Sequence, residues 1–157
     1  MLVYQTFVGE VLVSLGGHIA QYLGDGILTY FGFHESDPDA AQHAVEAGLE
    51  IIAALPALNL EERTNKGLKL SKPLRIRLGL HSGSVVIGAM GGRNRTETLA
   101  LGDVPNIAAR MEALSPVDGM AVTPSIKDSV SHKFVCELFV TDDQKDGKHK
   151  VKGIKKK

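Results

Sequence analysis

The sequence predicts an α+β domain with helices packed on one side of a mostly antiparallel sheet. Three observations predict it. Apolar residues recur at helical spacing in three stretches, and short apolar runs between them read as strands. These elements follow the order helix, hairpin, helix, strands, helix, strand, helix, strand. Neither an internal repeat nor a linker interrupts the 157 residues, a length that suits one domain with its own core.

Phe7, Val8, Val11, Leu12 and Leu15 repeat at helical spacing, and Gly16-Gly17 closes that pattern as a C-cap. QYLGDGILTYFGF then gives strands over 18–23 and 27–33, pinched around Gly24-Asp25-Gly26, because Asp and Gly both tolerate the positive φ of a tight turn. Ser36-Asp37-Pro38 reads as a helix start. Ala41, Ala44, Val45, Gly48, Leu49, Ile52 and Leu55 form the apolar stripe of a helix over 38–58. The polar NLEERTNKGLKLSK reads as a surface loop.

In PLRIRLGLHSG, Leu74, Ile76, Leu78 and Leu80 alternate with Arg75, Arg77 and Gly79, so the strand is half-buried with both arginines on one face. SVVIGAMGG and TETLALG read as its hairpin partners. A helix over 103–114 opens on Asp103 and turns Ile107, Ala108, Met111 and Leu114 inward. The strand MAVT, a helix from Pro124 and the strand FVCELFV follow. A first helix with an apolar stripe usually packs on a strand ahead of it, so the chain is expected to begin inside a domain.

Apolar residues make up 43% of the chain and charged ones 23%, an ordinary globular composition. No run approaches the roughly 18 apolar residues of a membrane span, and the start lacks the features of a secretory signal. Cys136 is the one cysteine, which excludes an internal disulfide and suits a reducing, cytoplasmic setting. The last fifteen residues hold seven lysines against two aspartates, leaving 11 of 18 basic and 16 of 18 acidic side chains to the body. No aromatic residue interleaves with those lysines, so a solvated end is expected there and nucleic acid is not an expected partner. The six histidines show no metal-ligand spacing, and neither a nucleophile elbow nor a P-loop occurs.

Four features could carry chemistry. Asp25 presents a carboxylate at a hairpin tip, where it could bind Mg²⁺ or Mn²⁺, although most turn aspartates are structural. Asn106 and Arg110 stand four apart on one helix face and suit phosphate or sugar oxygens; a solvated Asn and a surface Arg–Glu pair are the plain alternative. Arg77, beside the glycines of GLHSG, could hold a phosphate or make a cross-strand ion pair. Lys152 in VKGI precedes a glycine that would let a ligand approach.

HIAQYLGDGILTYFG, DAAQHAVEAGLEI, LRIRLGLHSGSVVIGAMGG and TLALGDVPNIAARMEAL, in this order, resemble the catalytic domain of class III adenylyl/guanylyl cyclases over residues 5–154. The closest likeness is to bacterial cyclase domains, which implies fused signalling domains outside this chain. The resemblance implies a ferredoxin-like α/β sandwich over 1–154, with 155–157 as a basic tail. It also implies conversion of ATP, or less readily GTP, to the 3′,5′-cyclic monophosphate and pyrophosphate. Two ions, Mg²⁺ or Mn²⁺, assist the attack of the ribose 3′-oxygen in that family. Asp25 matches a metal aspartate, Asn106 the ribose-orienting residue and Arg110 the residue that neutralises the transition state. Arg77 and Lys152 match grips on the terminal phosphates, while Gln21 and Leu99 match the purine-reading pair. Sites of this family lie between two head-to-tail domains, so a homodimer is implied.

Two departures accompany the likeness. The strand block Phe-x-Asp-[Ile/Leu]-x-Gly-[Phe/Ser]-Thr, which carries the other metal aspartate, is absent, and the chain reads as N-terminally truncated relative to the pattern. At the purine-reading positions, the Gln21 amide could meet either base and Leu99 offers only packing. A non-catalytic cyclase-like module that dimerises or binds nucleotide is therefore the second reading.

Overall fold

The structure, a computed structural model, describes residues 3–33, 35–64, 72–90, 97–139 and 151–156. Helix α1 (Val3–Ser14) ends where the Gly16 N–H returns to the Val13 carbonyl at 3.0 Å. β1 (Gly17–Leu23) and β2 (Gly26–Phe31) form the antiparallel hairpin, with a bulge between Ile19 and Gln21. Asp37 then caps the next helix: its Oδ1 accepts the Asp39 N–H at 2.8 Å and its Oδ2 meets His43 Nδ1 at 2.9 Å.

That helix, α2 (Ala40–Thr64), is longer than its apolar stripe suggested and contains Pro56. NLEERT is its last turns, not the expected loop; residues 65–71 lie outside the described part. Tertiary contacts hold the extension. Leu58 is buried, and the Asn59 carboxamide donates to the Leu74 carbonyl at 3.1 Å while accepting the Leu74 N–H at 2.6 Å. A side chain thus stands in for a strand neighbour at the entrance to β3 (Arg77–Leu80).

β3 does not pair with the two segments that follow it. β4 (Val86–Met90) and β5 (Glu97–Leu101) pair with each other as a separate antiparallel ribbon. β3 runs parallel to β6 (Gly119–Val122), reached by way of α3 (Val104–Leu114). α4 (Pro124–Val130), β7 (Phe134–Phe139) and β8 (Val151–Lys156) complete the order β3-β6-β8-β7. β8 corrects a second expectation, because Lys155 and Lys156 pair with Val135 and Phe134 where a solvated end was expected.

Helices occupy both faces of β3, not one. A Cβ on Gly48 of α2 would stand 3.1 Å from Leu78 Cδ1, whereas a Cβ on Gly79 would stand 2.1 Å from the Glu112 nitrogen and 2.3 Å from the Ala108 oxygen. Successive strand residues point to opposite faces, so α2 and α3 clasp β3 between them. Gly79, the first glycine of GLHSG, admits the α3 backbone. Asn and Arg on the far side of α3 are held at the surface for the same reason.

Two clusters make the core. Val45, Met120, Val122, Ile126, Val130 and Phe134 join α2, β6, α4 and β7. Val11, Ala47 and Ile51 join α1 to the other side of α2, with Phe31 and Ile76 against them. The window Ala40–Leu60 is long and apolar enough to cross a membrane by composition, yet both of its sides are used for this packing.

Candidate active site

A cleft of about 1430 Å³ opens between β2, α2, β3 and the start of α3. Asp25, Arg77 and Asn106 all line it. The hairpin delivers Asp25, and the turn itself does not need an aspartate. Gly24 carries the positive φ, +64°, while Asp25 lies outside the positive-φ region. Turns of the II′ kind require glycine only at the first central position. The exposed carboxylate therefore has no conformational duty at the tip.

Helix α1 braces that tip. Tyr4 Oη donates to the Asp25 carbonyl at 3.0 Å and Gln5 Nε2 donates to the Gly24 carbonyl at 3.2 Å. Burial, followed by the nearby Asp25 charge, raises the Tyr4 pKa above its ordinary value, so the hydroxyl stays a donor across the neutral range. Nothing in the sequence marks these two positioning residues. Their pattern, two polar side chains in a first helical turn, carries no signal until the hairpin folds back onto α1.

The two arginines around β3 have different fates. Arg75 Nε meets Asp118 Oδ2 at 2.7 Å. Arg77 is exposed and makes no ion pair among the described residues, so the cross-strand pair considered for it is not observed. Asn106 and Arg110 lie exposed on α3, with no hydrogen bond or ion pair among the described residues. Ile107, Ala108, Met111 and Leu114 turn inward as expected but reach only half-burial. Arg110 lies outside the cleft wall that holds Asn106.

Gln21 is exposed on β1, opposite Leu28 and outside the cleft. Leu99 and Lys152 are placed by backbone register: Leu99 opposite Gly88, and Lys152 between Val122 and Leu138. Their side chains lie outside the described part. β5 passes close to β1, which brings the strands of Gln21 and Leu99 together.

Among the described residues no three His, Cys, Asp or Glu side chains converge as a metal-ligand set. Asp25 alone fits a hard cation that takes one carboxylate and completes its shell with water and phosphate oxygens, as Mg²⁺ does. At the far end of β3, His81 Nδ1 meets Thr123 Oγ1 at 3.0 Å, and Thr123 Oγ1 meets Ser125 Oγ at 2.9 Å. Burial lowers the His81 pKa, keeping the ring neutral.

Residues 16–157 match the family described as Adenylate and Guanylate cyclase catalytic domain. Adenylate cyclase 1 of Rhizobium meliloti is 31% identical over 122 residues, a match that covers 78% of this chain and 18% of that protein. The chain therefore spans less than a fifth of that relative's length. Among solved structures, the adenylyl cyclase CyaB from P. aeruginosa shares the fold with a TM-score of 0.82 and 21% identity, over 98% of this chain and 79% of that one. The guanylate cyclase domain of RhGC from Catenaria anguillulae, solved in complex with GTP, has a TM-score of 0.76 and 27% identity, over 96% of this chain and 78% of that one.

Proposed function

Because the chain belongs to the adenylate and guanylate cyclase catalytic domain family, we propose that it forms the catalytic part of a cytoplasmic nucleotidyl cyclase acting on ATP in preference to GTP. The ribose 3′-oxygen attacks the α-phosphorus, the bond to pyrophosphate breaks, and the 3′-hydroxyl proton passes to solvent. The carrying observation is that Asp25, Arg77, Asn106 and Arg110 remain without side-chain hydrogen bonds or ion pairs among the described residues. Phosphoryl transfer needs positioned charge and no covalent nucleophile.

In this reading Arg77 and Lys152 hold the terminal phosphates, Asn106 orients the ribose, and Gln21 and Leu99 flank the purine. Arg110 neutralises charge that develops on the α-phosphate. Asp25 would hold Mg²⁺ or Mn²⁺ together with the phosphates, and the bound ion would supply Lewis-acid neutralisation there. Arg110 stands off the cleft wall that carries Asp25, which supports a site completed head to tail by a second copy.

The test is cyclic-nucleotide formation from ATP and from GTP with Mn²⁺ at several protein concentrations. Product that rises faster than linearly with protein is expected, with ATP the better substrate. Arg110→Ala should lower turnover by about 10²–10³-fold, the usual loss for a transition-state donor, with the fold unchanged by circular dichroism. Nucleotide binding without product in the wild-type chain would favour the regulatory-module reading, which is supported by the lack of any cluster of three metal-ligating side chains among the described residues.

A further inference from the structure

Thr123 stands at the N-cap of α4, where a threonine hydroxyl ordinarily bonds an amide of the first helical turn. Here it makes no such bond. The residue is buried, and its hydroxyl lies instead between His81 Nδ1 at 3.0 Å and Ser125 Oγ at 2.9 Å. Ser125 Oγ in turn donates to the Ser82 carbonyl at 3.2 Å.

That chain of bonds runs in one direction only. A carbonyl oxygen accepts and never donates, so the single Ser125 hydroxyl hydrogen goes to Ser82. Ser125 then accepts from Thr123, and Thr123, its own hydrogen used, accepts from His81. The ring therefore carries its hydrogen on Nδ1 and presents a lone pair at Nε2. Burial lowers the His81 pKa, so that lone pair persists at neutral pH.

His81, Gly83, Val104 and Asn106 all line the cleft. A Cβ on Gly83 would stand 3.4 Å from His81 Nε2 and 2.8 Å from Val104 Cγ2. The missing side chain thus lets the ring come close to the first residue of α3, two before Asn106. Phosphate oxygens have no hydrogen to give a lone pair, whereas ribose hydroxyls do. In the nucleotide reading above, on which this assignment rests, the purine lies by Gln21 and Leu99 and the ribose by Asn106. The ribose hydroxyls are then the donors on this side of the cleft. We propose that His81 Nε2 accepts a hydrogen bond from a ribose hydroxyl of the bound nucleotide, with Thr123 as the positioning residue that fixes the ring's tautomer.

Two measurements on the 157-residue chain test this. Nitrogen NMR of histidine-labelled protein should show the Nδ1–H tautomer at His81. Thr123→Val should give a mixture of tautomers, with the fold unchanged by circular dichroism. The second measurement is equilibrium binding, with Mg²⁺, of the α,β-methylene analogue of ATP, whose carbon bridge prevents turnover, and of its 2′-deoxy and 3′-deoxy forms. Loss of the recognised hydroxyl should weaken binding about three- to tenfold, the worth of one hydrogen bond, and the form that weakens identifies the hydroxyl. His81→Ala and Thr123→Val should each reduce that penalty by at least about twofold. The opposite tautomer in the wild-type chain overturns the proposal. So does a deoxy penalty that is the same in wild type and both variants, and binding of the parent analogue then leaves the nucleotide reading standing. A chain that binds none of the three analogues overturns both.

Discussion

α2 separates two unlike halves. On one side Val45, Val130 and Phe134 are at most 2% exposed and lock four elements together. One ion pair lies there as well, with Lys133 donating to Glu46. On the other side α2 meets α1 and the hairpin, then the open cleft, where the Asp25, Arg77 and Asn106 side chains make no hydrogen bond or ion pair among the described residues. Unpaired charge is tolerated where water or a ligand can solvate it and penalised where neither can. Both sides of α2 bury apolar residues, the second through Val11, Ala47 and Ile51, but only the second side also opens to the cleft that holds the groups available for chemistry.

The largest test of that division removes a side chain from the closed half. Phe134→Ala should cost about 3–5 kcal/mol, the range for a fully buried aromatic, read as a lower urea midpoint at constant slope. Leu23→Ala, in the exposed hairpin of the other half, should change stability by less than about 0.5 kcal/mol. A comparable loss at Leu23 would erase the contrast.

An intermediate effect is expected where the halves join. Asp118 holds φ at +58° and clamps the entrance of β3: its N–H donates to the Ile76 carbonyl at 2.6 Å, its Oδ1 accepts the Ile76 N–H at 3.1 Å, and its Oδ2 meets Arg75. Asp118→Ala should destabilise by about 1–3 kcal/mol, chiefly by leaving the Ile76 N–H unpaired. The exposed Arg75 pair adds little to that sum. Arg77→Ala, two residues along and unpaired, should leave the denaturation midpoint within about 0.5 kcal/mol of wild type while weakening nucleotide retention in equilibrium binding. Equal effects from the two substitutions would show that Arg77 serves the fold.

These positions also show what the sequence could reveal. Alternation from Leu74 to Leu80 separates the two faces of β3, because period two is a local property. Its partner was not local: β6 lies beyond a ribbon and a helix, and nothing in either strand marks the parallel pairing. The placement of helices on both faces rests on Gly79, whose missing side chain is visible in the sequence but whose neighbour is not. Ala47 and Ile51 fall outside the expected stripe because α2 is apolar on two sides, and a single-face pattern hides the second. Asp25, Asn106 and Arg110 stand out in the sequence by their motifs. The brace from Tyr4 and Gln5 depends on the hairpin meeting α1, a contact that no local pattern encodes.

The smallest expected effect lies at the far end of β3, where His81 ties the open half to Thr123 of the closed one. Burial holds the His81 pKa below 6.5 in the folded chain, so the unfolded chain binds the proton first as pH falls. Its contribution is complete above pH 6.5 and declines as pH drops from there through the lower folded value. Asp37 acts in a different window. The His43 hydrogen bond, then the Asp39 N–H, hold its carboxyl below 3.8, so its contribution is lost only in stronger acid. Urea midpoints between pH 7.5 and 5 therefore leave the Asp37 carboxyl out of the comparison. Wild type should lose stability over that range, and His81→Asn, which keeps a polar partner for Thr123 without a titrating ring, should lose less. Parallel profiles would mean that His81 is as well solvated folded as unfolded, and that the junction between the halves is open to water there.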